Sequence, residues 1–485
     1  MPTSSASAAS STPSGASGPP TTPASTTPSV PSASRRQVLA RTGALGVGIA
    51  FAGSVSEIFA GTAAAQGLGR SGYGPLVPDP AGLLDLPKGF RYKVLSREGE
   101  PLRSGEGRVP SNHDGMAAFR GHRGRVNLVR NHENRPNAAI GVPTVEGLTY
   151  DPGAKGGCTA IALDGRNNVL GERVAIAGTA VNCAGGPTPW GTWLTCEENE
   201  DKAGTNGYTK DHGFIFEVDP VDPHRTGAVP LTAMGRFQHE AIAVDPRSGV
   251  VYETEDAFLK PFGLFYRFLP KKPQGGRGSL RAGGELQAMR VPGVPDLSAI
   301  QETGATFAGV EWVDVPDPLA KETPIRLQDF GKKGITHAQK LEGCYWGDKA
   351  VYFVSSFAKS AEGSAATHFG QVWKYEPHQR RLTLVVVFGP STDIQLPGES
   401  PDNICLAPRG GLMVCEDGSG TQHVYGLTKR GEVYAMARGR QNIGTPEVPE
   451  WGEFAGVTFS PDCETMYVNC YTPGTTFAVT GPWNH

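Results

Sequence analysis

The densest chemistry in the chain lies in NCAGGPTPWGTWLTCEENED, residues 182–201. A thiol, Cys183, stands before two glycines, and the adjacent acids Glu197 and Glu198 follow a short strand-like run. A regular strand does not hold so many Gly and Pro residues, and a plain loop has no need of Trp190 and Trp193 to anchor it. Carboxylate oxygen is the ligand of hard cations, whereas a thiolate suits iron or another transition metal. In a tight CAGG loop the glycines let the backbone approach an ion closely, which makes Cys183 the candidate thiolate ligand. Cys196, inside WLTCE, reads as a small buried hydrophobe.

Further acids recur at one kind of place. HEAIAVDPRSGVVYETED (239–256), LEGCYWGDKAVYFVSS (341–356), PDNICLAPRGGLMVCEDG (401–418) and EFAGVTFSPDCETMYVNC (453–470) share one pattern. Each opens on an acidic residue and then gives two alternating strands about a Pro, Gly or Asp turn, the signature of a hairpin. Glu240, Glu342, Asp402 and Glu453 therefore sit at matching strand starts in four successive units.

The elements that must position these acids follow from the repeat. Hairpins of one type, each joined by further strands such as GLFYRFLP (263–270), GQVWKYEP (370–377) and GEVYAMAR (431–438), recur every 50 to 100 residues. That spacing predicts an all-β fold, a β-propeller of six blades with loop insertions around the channel mouth. A β-sandwich or two smaller β domains is the alternative. In a propeller the innermost strands begin near one end of the axial channel, so the four acids converge. Carboxylates crowded in one funnel repel and raise each other's pKa unless cations neutralise them. Any one of them alone would be an ordinary turn or surface acid. Trp190, Trp193, Trp312, Trp373 and Trp451 are expected to pack between blades.

The chain has 485 residues, 65 of them Gly and 40 Pro, with a formal net charge of −3. It is long enough for a large core, and it lacks the basic face of a nucleic-acid binder. Residues 1–34 are almost entirely Ser, Thr, Pro, Ala and Gly and cannot offset their ordering entropy, so this segment is expected to be disordered. Residues 35–65 carry Arg35-Arg36, an apolar stretch from Gly43 to Ala60 and small residues Ala63–Ala65, the layout expected of a twin-arginine signal peptide, with an ordinary secretory signal or a membrane anchor as the alternative. Residues 66–485 then form a single catalytic domain. The expected partner during export is the twin-arginine translocation machinery, and the expected location is periplasmic, cell-envelope or extracellular, with no membrane span after cleavage. Cys405 and Cys415 flank a turn and are a candidate disulfide. No P-loop or nucleophile elbow is present, which leaves NTPase and serine-hydrolase readings without support.

The CAGG…TPWGTW…EE block resembles the signature of the PhoX-type alkaline phosphatases. SNHDGMAAF (111–119), RNHENR (130–135), RFQHEAIAVD (236–245), PDNI (401–404), CEDG (415–418), EFAGVTFSPD (453–462) and FAVTGPW (477–483) follow in family order. This resemblance spans about residue 70 to the C-terminus. It implies an exported six-bladed propeller phosphatase using iron and calcium. Cys183 would then ligate iron, and Glu198, Glu240 and Glu342 would bind or bridge metals, joined by Glu197. Glu133, Asp402 and Glu453 would complete the metal shells, with Asp114 a further ligand. Glu198 and Lys340 are the residues expected to carry catalysis on a small phosphomonoester. Family members carry a phosphate-clamping arginine two residues before the glutamate that matches Glu342; here QKLEG places Lys340 there. Lysine keeps the charge and loses the planar fork, so His239 and Arg236 are expected to assist in binding substrate. Two other functions fit parts of the pattern. One is a propeller hydrolase of another ester, a phosphodiester or lactone; the other is a non-catalytic metal-binding propeller.

Overall fold

In a computed structural model, residues 72–389 and 398–483 are described; the proposed disordered segment and signal peptide lie outside them. Among the described residues helix is confined to short 3-10 turns. The strands form six antiparallel sheets, and these are the six blades of a β-propeller. Their innermost strands are His113–Arg120, Asn182–Pro187, His239–Val244, Leu341–Gly347, Pro401–Leu406 and Phe454–Phe459. Each hairpin expected from the sequence is the inner pair of one blade. The sixth blade takes its outer strand, Arg91–Arg97, from the N-terminal side, paired to Thr475–Thr480, so the first and last parts of the domain are stitched into one sheet.

Alternation along the strands dictates the packing. Side chains from one face of a blade meet those of the next, and the apolar clusters fall between consecutive blades. Phe265, Phe353, Trp373 and Tyr375 join the third to the fourth, and Leu95, Met116, Leu128 and Tyr467 close the sixth onto the first. Trp193 and Trp373 are buried in these interfaces, while Trp190 and Trp312 are packed at their edges. Trp451 differs from expectation: half-buried, it bridges to Asn442 outside the clusters. Trp483, within the closing FAVTGPW block, fills the space between the fifth and sixth blades instead. The candidate disulfide is also absent, since the eight cysteines are all free. Cys405 pairs across the hairpin with Met413, so Cys415 lies two residues out of register.

A small cavity of about 30 Å³ lies on the axis, lined by Gly115, Ala184, Ala241, Gly343, Asn403 and Gly456, one residue from each blade. These small residues let the inner strands approach backbone to backbone. A Cβ on Gly115 would stand 2.6 Å from the Cα of Ala184.

Candidate functional site

The inner strands share a device that the sequence pattern did not expose. In each, pairing with the next strand breaks for two residues: between His113 and Met116, Asn182 and Gly185, His239 and Ile242, Leu341 and Cys344, Pro401 and Ile404, and Ala455 and Thr458. The first residue of each break is Asp114, Cys183, Glu240, Glu342, Asp402 or Gly456. Such bulges free a residue from the ladder and re-aim its side chain. Two residues earlier, four of the blades hold a left-handed residue: Asn112, Val181, Lys340 and Ser400, with φ of 56°, 53°, 50° and 46°. A β-branched residue such as Val181 rarely adopts that conformation, and strain of this kind gathers at functional sites.

The freed backbone groups still need partners, because a buried carbonyl without one is costly. Side chains supply them. Asn131 donates to the carbonyls of Cys183 (3.1 Å) and Ala184 (2.7 Å), and Thr254 donates to that of Glu342 (2.7 Å). The Asn131 amide oxygen in turn accepts from Trp193 Nε1 at 2.9 Å and Thr195 Oγ1 at 3.0 Å. This is why the opening stretch needs its tryptophan: Trp193 fixes the amide that holds the Cys183 loop.

A second ring comes from the residues just after each blade's second strand. There stand Glu133, Glu198, Asp256, Ser356, Asp417 and Tyr471. The two rings meet in three buried groups whose ligand atoms lie within 4.8 Å of one another: Asp114–Glu133–Cys183, Cys183–Glu198–Glu240 and Glu240–Glu342–Asp402. Cys183 and Glu240 are shared, so the groups form one continuous chain of ligands. Cys183 Sγ lies 3.0 Å from Glu240 Oε1 and 3.8 Å from Asp114 Oδ2. Six carboxylates and a thiol placed so close together repel once ionised, and cations are what such a set is fitted to hold. Oxygen donors suit hard cations, and the single sulfur suits a transition metal.

Two cationic side chains grip this chain of ligands. Lys340 Nζ is bound to Glu342 and lies 3.6 Å from Asp417. Arg135 pairs with Glu133 at 2.9 Å and lies 3.7 Å from Glu198. Arg135, Asp417 and Asn131 carry no mark of this role in the sequence, although RNHENR (130–135) and CEDG (415–418) contain them.

Four expected site residues are placed differently. Glu197 points away from the chain of ligands: it accepts hydrogen bonds from the backbone N–H groups of Ala180, Gly213 and Phe214 and sits 2.7 Å from His212 Nδ1. Strand alternation explains this, since Glu197 and Glu198 leave the strand in opposite directions. Arg236 donates to the carbonyls of Glu200, Leu319 and Ala320 and so ties an insertion loop down. His239 is buried with its ring on Phe237 and Nε2 against the Gly235 carbonyl; burial lowers its pKa to about 3, which keeps it neutral. Glu453 lies three residues ahead of Gly456, the position that matches the other ligands, and its backbone carbonyl accepts from the Tyr471 N–H. There Glu133, Glu453 and Asp114, after burial itself, push the Tyr471 pKa well up.

Burial, with Arg130 beside them, also holds His113 and His132 well below their usual pKa. Burial raises Cys196 well above that of an ordinary thiol. All three are neutral packing groups.

A protein-family model described as alkaline phosphatase PhoX matches residues 71–474. No curated protein matches the chain significantly. Among solved structures, Pseudomonas fluorescens PhoX in complex with vanadate, a transition state analogue, is similar with a TM-score of 0.63 and 19% identity, covering 84% of this chain and 97% of that one. A gluconolactonase from Xanthomonas campestris gives a TM-score of 0.40 at 12% identity, covering 80% and 98%.

Proposed function

The chain belongs to the PhoX alkaline phosphatase family and is a phosphatase of small phosphoesters; from that premise we propose that the buried chain of ligands is its active centre and that iron and calcium fill it. The observation that carries this reading is the thiol of Cys183 shared between two carboxylate groups, because a structural calcium site has no use for sulfur. Cys183, Asp114, Glu133, Glu198 and Glu240 would hold iron. Glu240, Glu342 and Asp402 would hold calcium, with Glu453 in an outer position. When bound, such ions neutralise phosphoryl oxygens and lower the pKa of an attacking water.

The protein's own groups do the rest. Lys340, 6% exposed, sets an ammonium at the rim of Glu342 and Asp417, where it holds a non-bridging phosphoryl oxygen. Its left-handed backbone is fixed by its N–H on Ala257 and by its carbonyl, which accepts from Ser356, so the ammonium is placed before substrate arrives. Thr254 and Asn131 keep the ligand-bearing backbone from shifting as charge changes at the site.

Export by the twin-arginine route belongs to the same reading. It delivers proteins already folded, so metals can be loaded in the cytoplasm. Among the described residues no helix is long and apolar enough to cross a membrane.

The test is hydrolysis of a phosphomonoester at about pH 8–9, the range suited to metal-activated water, in calcium-replete buffer with Glu198→Ala as the control. Turnover that chelator removes, calcium restores and the variant lacks is the expected result. A Glu198→Ala protein as active as the wild type would remove the ligand chain from catalysis.

A further inference from the structure

We infer that Arg135 is a second phosphate clamp, set opposite Lys340 across the ligand chain, and that it supplies the planar fork Lys340 cannot. The inference rests on the phosphatase reading of this site.

Position is the first ground. Arg135 follows Glu133 by two residues, just beyond the second strand of the first blade. Its Nη2 reaches Glu133 at 2.9 Å and lies 3.7 Å from Glu198, so it spans two of the three ligand groups. Lys340 grips the far end, on Glu342 and Asp417. Cys183 and Glu240, the shared ligands, lie between them. An anion drawn to the middle of the ligand chain therefore has one of these cations towards each end of that chain.

Exposure is the second ground. Arg135 keeps 19% of its side chain open to solvent, against 2% for Glu133, 7% for Glu198 and 6% for Lys340. Among these charged groups it is the one most accessible to an arriving ligand.

Charge and shape are the third. Carboxylates that hold multivalent cations exert less pull on a neighbouring guanidinium, which makes it a better donor to an incoming anion. A guanidinium matches two phosphoryl oxygens at once, whereas an ammonium acts as a point charge.

Two measurements on the mature, metal-loaded chain test this: calorimetric titration with inorganic phosphate, and KM and kcat for p-nitrophenyl phosphate. Metal content is determined for every variant. Arg135→Ala should weaken phosphate binding and raise KM by about tenfold or more, the scale of losing a charge-assisted contact, with bound metals unchanged. Arg135→Lys, which preserves the charge beside Glu133, should recover only part of that loss. Adding Lys340→Arg to Arg135→Ala should recover most of it, because the fork is restored from the other side.

Phosphate affinity unchanged in Arg135→Ala, or wild-type in Arg135→Lys, would overturn the clamp while leaving the phosphatase reading intact. A loss that follows metal content and is not rescued by Lys340→Arg would make Arg135 a support for Glu133, and would overturn it too. A wild-type protein that neither binds phosphate nor turns over would overturn both readings together.

Discussion

Gly115→Ala is the sharpest perturbation the fold offers, because it moves the site without replacing a ligand. Gly115 follows Asp114 in the bulge of the first blade and faces the Cys183 loop of the second. A Cβ there would lie 2.6 Å from Ala184 Cα and 2.8 Å from the Cys183 carbonyl oxygen, where ordinary contact begins at 3.4 Å. Both obstacles are backbone, so no rotamer change relieves them. The two strands must part by roughly 0.8 Å (3.4 minus 2.6). Asp114 and Cys183, now 3.8 Å apart, would part with them. Overpacking of this kind costs about 1–3 kcal/mol of stability, which is roughly 5- to 150-fold in the folding constant. A misplacement near 1 Å costs on the order of a hundredfold in rate. The assay is kcat/KM for a phosphomonoester, with iron content and urea unfolding measured on the same preparation. Gly105→Ala and Gly420→Ala serve as controls, since a Cβ at either meets nothing within 4 Å. Wild-type rate, iron content and stability in Gly115→Ala would refute the claim that close backbone approach sets the ligand spacing.

Three further outcomes are expected. Cys183→Ala should lose iron and most activity while its circular dichroism stays that of a β-propeller; unchanged iron by elemental analysis would sink the ligand assignment. Asn131→Ala leaves buried carbonyls and the Trp193 N–H without their partner, at roughly 1–3 kcal/mol for each group, so urea unfolding should show a loss of at least about 2 kcal/mol together with lower activity; a wild-type midpoint would contradict that role. Burial alone would lower the pKa of His212, but its contacts with Glu197 and Asp151 raise it above the usual value. The stabilisation it gives is therefore complete below the unfolded pKa and fades as pH rises through the higher folded one. The gap in stability between wild type and His212→Gln should narrow from pH 6 towards pH 9 in denaturant titrations, and a gap that widens would reverse the sign.

How much of this was legible in the sequence depends on the range of the signal. The hairpins were, because alternation and turn residues act over a few positions, and their recurrence led to six blades. Glu240, Glu342 and Asp402 were legible for the same reason, since each opens a hairpin. Asp114 and Glu133 were not, and entered only through family resemblance. Asp114 sits in a bulge, which breaks the alternation, and Glu133 lies just beyond a strand end. A break of the same kind put Glu453 in line with the ligands, when the bulge of its blade falls at Gly456. A usable signal did exist: in five blades the bulge ligand is followed by a small or amide residue, as in Asp114-Gly115, Cys183-Ala184, Glu240-Ala241, Glu342-Gly343 and Asp402-Asn403. Arg135 and Asp417 escaped because their meaning is a distance across blades. Arg236 and Glu197 misled because adjacency in sequence to a ligand says little about direction on a strand.

The most direct test is the turnover of a phosphomonoester by wild type and by Glu240→Gln, each with its metals quantified. Glu240 is shared by two of the three ligand groups and is fully buried, so no surface effect can stand in for its loss. The account predicts a fall of at least about a hundredfold, the scale of removing transition-state charge stabilisation, with metals depleted and the β-propeller still folded. Glu240→Gln with wild-type turnover and a full complement of metals would contradict it.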